Sequence, residues 1–104
     1  MIHQNFNRRH SPNRRKTRVA AVIELDDMIH PATIRDISFH GMKLSVPIAI
    51  EPGSPLTIEV LGRRIPAIVH WSRGGHIGVN LLQRLEGQTL IALETAHDDL
   101  AAFR

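Results

Sequence analysis

Apolar and polar residues alternate along most of the chain in short runs, and residues that favour turns separate these runs. This period of two is typical of half-buried β-strands. Six runs fit it, and they predict strands at 19–25, 29–37, 42–46, 56–61, 65–71 and 77–82. In the third run, Met42, Leu44 and Val46 point to one side, while Lys43 and Ser45 point to the other. The pattern therefore predicts an antiparallel β-domain.

The period changes near the end of the chain. After Gly87, apolar residues recur at the spacing of an amphipathic helix. They form one stripe that consists of Leu90, Leu93, Ala96, His97, Leu100 and Ala101. We therefore expect a helix over 88–103 that packs on, or plugs, a small barrel. The predicted fold class is all-β with one helix: a six-stranded antiparallel β-barrel followed by a C-terminal α-helix.

Length and composition limit what the chain can be. Its 104 residues are enough for one compact domain. It has no cysteine, which excludes disulfides and thiolate zinc sites and makes the cytoplasm the default location. Residues 1–9 lack the apolar run of a signal peptide, and no later stretch is long enough to cross a membrane. We expect a soluble, cytoplasmic protein without membrane insertion.

Charge is distributed unevenly. The formal net charge is +3, yet residues 1–18 carry no acid and six basic residues: Arg8, Arg9, Arg14, Arg15, Lys16 and Arg18. The rest of the chain has seven basic and ten acidic residues. A basic arm on a mildly acidic body indicates an anionic partner.

Arginines cluster just before the first predicted strand, in the segment RRKTR at 14–18. Arg14 and Arg18 are four positions apart, so they face the same side of an extended chain, whereas Arg15 faces the other side. A guanidinium group is a planar fork of donors that matches both phosphate oxygens and the O6/N7 edge of guanine. The segment therefore indicates a phosphate ligand, and a guanine nucleotide fits it.

A second segment, DISFHG at 36–41, follows after the length of one strand. Asp36 and Ser38 project to the same side, where a carboxylate can accept hydrogen bonds from guanine N1–H and N2–H₂. Gly41 permits a turn into the third strand. The alternative is an ordinary turn between strands, and the position of this segment behind the arginines is what favours a binding role.

Together, RxxxR at 14–18 and DxSxxG at 36–41 resemble the PilZ domain, a bacterial receptor module for cyclic di-GMP. The segments IVHW at 68–71 and GVNL at 78–81 look like the late strand pair of this family, although Leu81 stands where an aromatic residue is common. The resemblance implies a barrel of the split-barrel type over 14–104, preceded by a flexible basic arm at 1–13.

The resemblance also implies the ligand and the residues that bind it. Cyclic di-GMP would be held by Arg14, Arg15, Arg18, Asp36, Ser38 and Gly41. Trp71 either fills the barrel core or forms an additional wall of the site. We expect a second-messenger receptor in which the ligand orders the arm over the barrel, and a downstream effector protein reads the change. No cofactor is expected.

Enzymatic and metal chemistry are not indicated. Asp36, Ser38 and His40 occupy successive same-face positions about 6.5–7 Å apart, beyond the reach of a proton relay. The seven histidines lack the paired spacing of a metal site. Two alternatives remain open. One is a small β-barrel that binds nucleic acid through its basic arm, which an aromatic content of 4% disfavours. The other is a PilZ-like adaptor that binds no nucleotide.

Overall fold

A computed structural model describes the backbone of residues 15–102 and the side chains of residues 15–96. Six strands are followed by one helix: β1 Arg15–Leu25, β2 Met28–Ile37, β3 Gly41–Ser45, β4 Pro55–Val60, β5 Arg63–Arg73, β6 His76–Leu81 and α1 Gly87–Ala102. The strands close into a barrel in the order β1-β2-β3-β6-β5-β4, and all neighbours are antiparallel. The predicted fold class is confirmed.

The core lies inside the barrel and is built from alternate residues of the strands. Ile23, Ile34, Leu44, Ile58 and Ile77 each have no exposed surface. Helix α1 adds its own buried leucines at positions 90 and 93. The predicted apolar face of the third strand is confirmed, because Met42, Leu44 and Val46 are all buried. Among the described residues, no helix is long and apolar enough to cross a membrane.

Strand β1 begins at Arg15, four residues before the predicted start. The early start has a tertiary cause. Thr17 is buried, and its hydroxyl donates a hydrogen bond of 3.2 Å to the backbone carbonyl of Leu93 in α1. Arg15 and Lys16 pair with Ile37 and Asp36 of β2. Residues 15–18 therefore already belong to the sheet. The predicted arm at 1–13, whose ordering by ligand stays a prediction, and Arg14 lie outside the described residues.

Strand β5 contains the clearest departure from alternation. A strict period of two would put Ala67, Val69 and Trp71 on one face. However, Val69 pairs with Val79, while Trp71 pairs with Gly78, the residue next to Val79. One residue of β5 is therefore extra, and this β-bulge turns the following side chains to the opposite face. Trp71 is half-buried on the outside of the barrel and does not belong to the core. Of the two places expected for Trp71, the barrel core is therefore wrong, and its role as a wall of the ligand site stays a prediction.

An ion-pair network lies across the seam that closes the barrel. Strands β1 and β4 pair only from Val22 to Glu24, and Arg64 of β5 reaches over this seam. Its guanidinium donates to Glu24 Oε1 at 2.7 Å and to Glu59 Oε2. The hydrogen bond with Glu24 and the charge of Glu59 raise the pKa of Arg64 above its ordinary value. The network lies away from the motifs and ties three strands together on the surface.

Candidate ligand-binding site

One row of residues crosses the outer face of the barrel and joins five strands. Lys16 of β1 pairs with Asp36 of β2, and Asp36 pairs with Lys43 of β3. Lys43 pairs with Gly78 of β6, and Gly78 pairs with Trp71 of β5. Residues directly opposite each other in a sheet have neighbouring side chains. We call this set the outer row. It brings a carboxylate, two ammonium groups and an indole ring onto one surface.

Asp36 faces outward because β2, like β5, contains a bulge. Ile34 pairs with Leu44 of β3, whereas Asp36 pairs with the preceding Lys43, so Arg35 is the extra residue. Ile34 and Ile37 are both fully buried although they are three positions apart, and Asp36 consequently lies on the outer face. Its side chain is 8% exposed, and its Oδ1 lies 3.5 Å from Lys16 Nζ. The Asp36 carboxylate is therefore shielded from water and lies beside a cationic group.

The loop between β2 and β3 is held by Ser38 and Gly41. The backbone N–H of Ser38 donates to the Gly41 carbonyl at 2.9 Å. The Ser38 hydroxyl accepts from the Gly41 N–H at 3.1 Å and donates to the Gly41 carbonyl at 3.3 Å. One acceptor lone pair of the hydroxyl therefore remains for a ligand. Gly41 also permits a close approach of β6, because a Cβ there would lie 3.0 Å from the Val79 carbonyl.

Trp71 and Gly78 fit against each other. A Cβ added to Gly78 would lie 2.1 Å from Trp71 Nε1 and 2.4 Å from Cε2, closer than any real contact. Only glycine therefore lets the indole ring lie against strand β6. The ring then forms one wall of a cleft of about 200 Å³, which we call the tryptophan cleft. Asp36, Ser38 and Gly41 line this cleft as well.

A second cleft of about 230 Å³ lies beside the first, and we call it the basic cleft. It shares Asp36 and Lys43 with the tryptophan cleft. Its other charged or titratable side chains are Lys16, Arg18, Arg35 and His76. Four cationic groups thus surround one carboxylate, and the outer face is strongly attractive to anions. The Arg35 guanidinium is oriented by a hydrogen bond of 3.2 Å to Ser45 Oγ.

The structure brings most of the predicted site residues together. Asp36, Ser38, Gly41 and Trp71 line the tryptophan cleft, and Arg18 lines the basic cleft. Arg15 is separate: it lines neither of these clefts, and its Nη1 lies 3.2 Å from Glu94 Oε2 in α1.

Sequence reasoning missed three residues of this surface. The alternating pattern places Lys43 on the outward face but indicates no binding role for Lys43, Arg35 or His76, all of which line the basic cleft. For Lys43 the signal was present, because it alternates with buried Met42 and Leu44 on a strand adjacent to Asp36. Arg35 follows buried Ile34, so alternation already places it on the outward side; alternation does not reveal that the bulge puts Asp36 on that side as well. Among the described residues, no group of three or more His, Asp or Glu side chains could hold a metal ion.

A closed six-stranded barrel with a cationic outer face and one aromatic wall defines a small ligand-binding β-barrel module. The chain belongs to the PilZ domain family, whose model matches residues 7–96. PilZ domains are receptor modules for cyclic di-GMP.

Comparison with solved structures and curated proteins gives two further findings. The chain is similar to the PilZ domain of CeSA from a cellulose-synthesizing bacterium, with a TM-score of 0.56 and 17% sequence identity. The similarity covers 85% of this chain and 97% of the other. At this identity it shows the fold alone. None of the curated proteins matches the chain.

Proposed function

We propose that this protein is a receptor that binds cyclic di-GMP on the outer row, and that it binds the ligand without transforming it. The observation that carries this proposal is the row itself, in which a carboxylate lies between cationic side chains and an indole ring. Membership of the PilZ family names the ligand, and the arrangement of groups on the surface matches that ligand's chemistry.

The ligand has two kinds of group to satisfy. Its phosphodiesters are anions, and Arg18, Lys16 and Lys43 supply positive charge in and beside the basic cleft. Its guanines need acceptors for N1–H and N2–H₂, which the Asp36 carboxylate provides, and an aromatic surface for stacking, which Trp71 provides. Arg14 completes the arginine motif in this proposal and lies outside the described residues.

Asp36 predicts which dinucleotide binds. Cyclic di-AMP carries the same two phosphates, but adenine has no N1–H donor for a carboxylate acceptor. We therefore expect isothermal titration calorimetry to detect binding of cyclic di-GMP and not of cyclic di-AMP. GTP serves as a second control that offers guanine without the cyclic backbone. Equal affinity for the two cyclic dinucleotides would contradict base recognition by Asp36.

A single-stranded oligonucleotide tests the nucleic-acid alternative in the same instrument. Binding through phosphate charge alone weakens steeply as salt rises and shows little preference for a cyclic dinucleotide. Such behaviour would favour the alternative over the receptor. The cytoplasmic location and the downstream effector protein remain predictions from the sequence.

A further inference from the structure

The start of helix α1 lines a third cleft, on a different part of the barrel from the outer row. This cleft has a volume of about 260 Å³ and lies between the start of β5 and the segment that leads from β6 into α1. We call it the helix-end cleft. It shares no lining residue with the tryptophan cleft or the basic cleft. A ligand bound here therefore does not belong to the site proposed above.

Thr89 is a buried polar residue of this cleft whose hydroxyl lacks a partner. It is 4% exposed, and it forms no side-chain hydrogen bond with the described residues. The hydroxyl of buried Thr17, in contrast, donates to the Leu93 carbonyl, and that of exposed Thr95 donates to the Ile91 carbonyl at 2.9 Å. Buried polar groups are normally hydrogen-bonded, and an unmade bond destabilises the fold. The Thr89 hydroxyl therefore indicates an acceptor that enters from the cleft.

The backbone adds donors at the same end of the helix. The first hydrogen bond of α1 joins the Leu90 N–H to the Glu86 carbonyl at 3.0 Å. The N–H groups of residues 87–89 have no backbone acceptor in the described part of the chain. Such N–H groups point outward along the helix axis, and the helix dipole adds positive potential there. Together with the Thr89 hydroxyl, they form a set of donors that suits an anion.

The charged side chains of the helix-end cleft also favour an anion. Arg63 and Arg84 line it and form no ion pair with the described residues, whereas the lining residue Arg64 is already paired with two glutamates. The Arg84 guanidinium is held 4.0 Å from the centre of the Phe39 ring. Glu86 is the acid among the lining residues. Two unpaired guanidinium groups against one carboxylate leave the cleft positively charged.

We propose that the helix-end cleft is a second anion site, which binds a phosphate group, either free or as a monoester. The phosphate oxygens accept from the Thr89 hydroxyl, from the N–H groups of residues 87–89 and from the two unpaired arginines. Donors that converge from three sources need an anion with several acceptor oxygens, which a phosphate has and a chloride ion lacks. This inference goes beyond the proposed function and does not depend on it, because the two sites share no lining residue.

NMR titration of the isotope-labelled full chain tests the site residue by residue. Sodium phosphate should move the backbone amide signals of residues 87–89 until they saturate, and sodium chloride at equal ionic strength should move them little. A second titration uses O-phosphoserine. Tighter saturation by O-phosphoserine would assign the site to a phosphorylated molecule, and saturation by inorganic phosphate alone would assign it to the free ion. Absence of saturation with both, or equal shifts with chloride, would overturn the proposal.

Thr89→Val removes the hydroxyl and keeps the shape of the side chain. It should weaken phosphate binding by at least about tenfold, because a hydrogen bond to a charged group is lost. It should also keep or raise the melting temperature, because a buried hydroxyl without a partner disappears. Thr95→Val is the matched control. It makes the same exchange on the same helix at an exposed position outside the cleft, and it should leave phosphate binding unchanged.

A variant that tightens binding excludes general damage to the fold as the explanation. Glu86→Gln removes the opposing charge of the cleft and should bind phosphate about two- to fivefold more tightly than wild type, the range of an exposed charge pair. Glu51→Gln is its control, because Glu51 is exposed and lines none of the three clefts. Equal phosphate binding by Thr89→Val and Thr95→Val, a lower melting temperature of Thr89→Val, or signal changes confined to the outer row would each overturn the helix-end site and leave the receptor function intact. Failure of the wild type to bind cyclic di-GMP would overturn the proposed function alone.

Discussion

Replacing Gly78 by alanine should disturb the outer row and leave the rest of the barrel unchanged. A Cβ at this position would lie 2.1 Å from Trp71 Nε1 and 2.8 Å from Cδ1. Ordinary contacts begin at 3.4 Å, so the ring must retreat by about 1.3 Å, the difference between 3.4 Å and 2.1 Å. The φ angle of Gly78 is not in the left-handed region, and alanine therefore suits the backbone. The effect of Gly78→Ala is consequently steric, and it acts on the indole ring.

We expect Gly78→Ala to weaken cyclic di-GMP binding and to leave the barrel folded. Stacking of a base on an aromatic side chain contributes about 1–3 kcal/mol, so loss of this wall weakens binding by about 5- to 150-fold. Trp71 lies outside the core, and its displacement opens no internal cavity. The free energy of unfolding should therefore change by no more than about 1 kcal/mol, which includes the usual gain from replacing glycine by alanine.

Tryptophan fluorescence measures both effects, because Trp71 is the only tryptophan in the chain. The emission of free Gly78→Ala should shift to longer wavelength as the ring becomes more exposed. Titration with cyclic di-GMP should change wild-type emission strongly and the variant's emission weakly, at higher ligand concentration. Gly87→Ala is the matched control, because a Cβ at Gly87 meets no heavy atom within 4 Å.

Two results would refute this reasoning at different steps. A variant with shifted emission and wild-type affinity would show that the ring moves but contributes nothing to binding. A variant with unshifted emission would show that the contact between Gly78 and Trp71 adjusts without displacing the ring.

The remaining predictions concern charge, a strained turn and the chain terminus. Arg18→Ala should weaken cyclic di-GMP binding about 10- to 150-fold through loss of charge-assisted hydrogen bonds. Arg63→Ala is the control and should leave the affinity unchanged, because Arg63 is exposed and lines neither the tryptophan cleft nor the basic cleft. If calorimetry shows similar losses of affinity for both variants, the effect is one of net charge. Leu61 has a φ of 52° in an exposed hairpin turn. Urea denaturation of Leu61→Asn should show a gain of about 1 kcal/mol, and a loss would contradict the strain. Deleting residues 1–12 should preserve much of the affinity for cyclic di-GMP. Deleting residues 1–18 should abolish binding and lower the melting temperature, because this deletion removes the start of β1. An unchanged melting temperature would argue against a structural role for residues 15–18.

Alternation predicted the strands well wherever one face of the sheet is buried. Met42, Leu44, Ile58 and Val60 are all buried as the period of two requires. The physical reason is that a shift by one residue would move every apolar side chain of a strand into water. The helical spacing likewise predicted a C-terminal helix, because its leucines at 90 and 93 complete the barrel core.

The start of β1 was not predictable in this way. Residues 15–18 are basic or polar and look like an arm, and only a contact between distant parts of the chain includes them in the sheet. The burial of Thr17 depends on the Leu93 carbonyl, which is 76 positions away. Nothing in the local pattern indicates this partner. Tertiary contacts therefore decide where the first strand begins.

The bulges in β2 and β5 explain why the candidate site was predictable only in part. Continued alternation from Ile34 would bring Asp36 into the core, and continued alternation from Val69 would bring Trp71 there. Both placements would destabilise the fold. Burying an uncompensated carboxylate costs free energy, and an indole ring would overfill a barrel already packed with aliphatic side chains. One extra residue in each strand, Arg35 in β2 and another in β5, moves these groups to the outer face.

Both bulges move their groups to the same surface. Asp36 and Trp71 occur in one row across β2, β3, β6 and β5, so the insertions that protect the core also assemble an acceptor and an aromatic wall beside each other. A small aliphatic core cannot accept a carboxylate or an indole ring at positions that strict alternation would turn inward. Asp36 and Trp71 are such residues, and both line the tryptophan cleft. The residues that the core excludes therefore mark the candidate site.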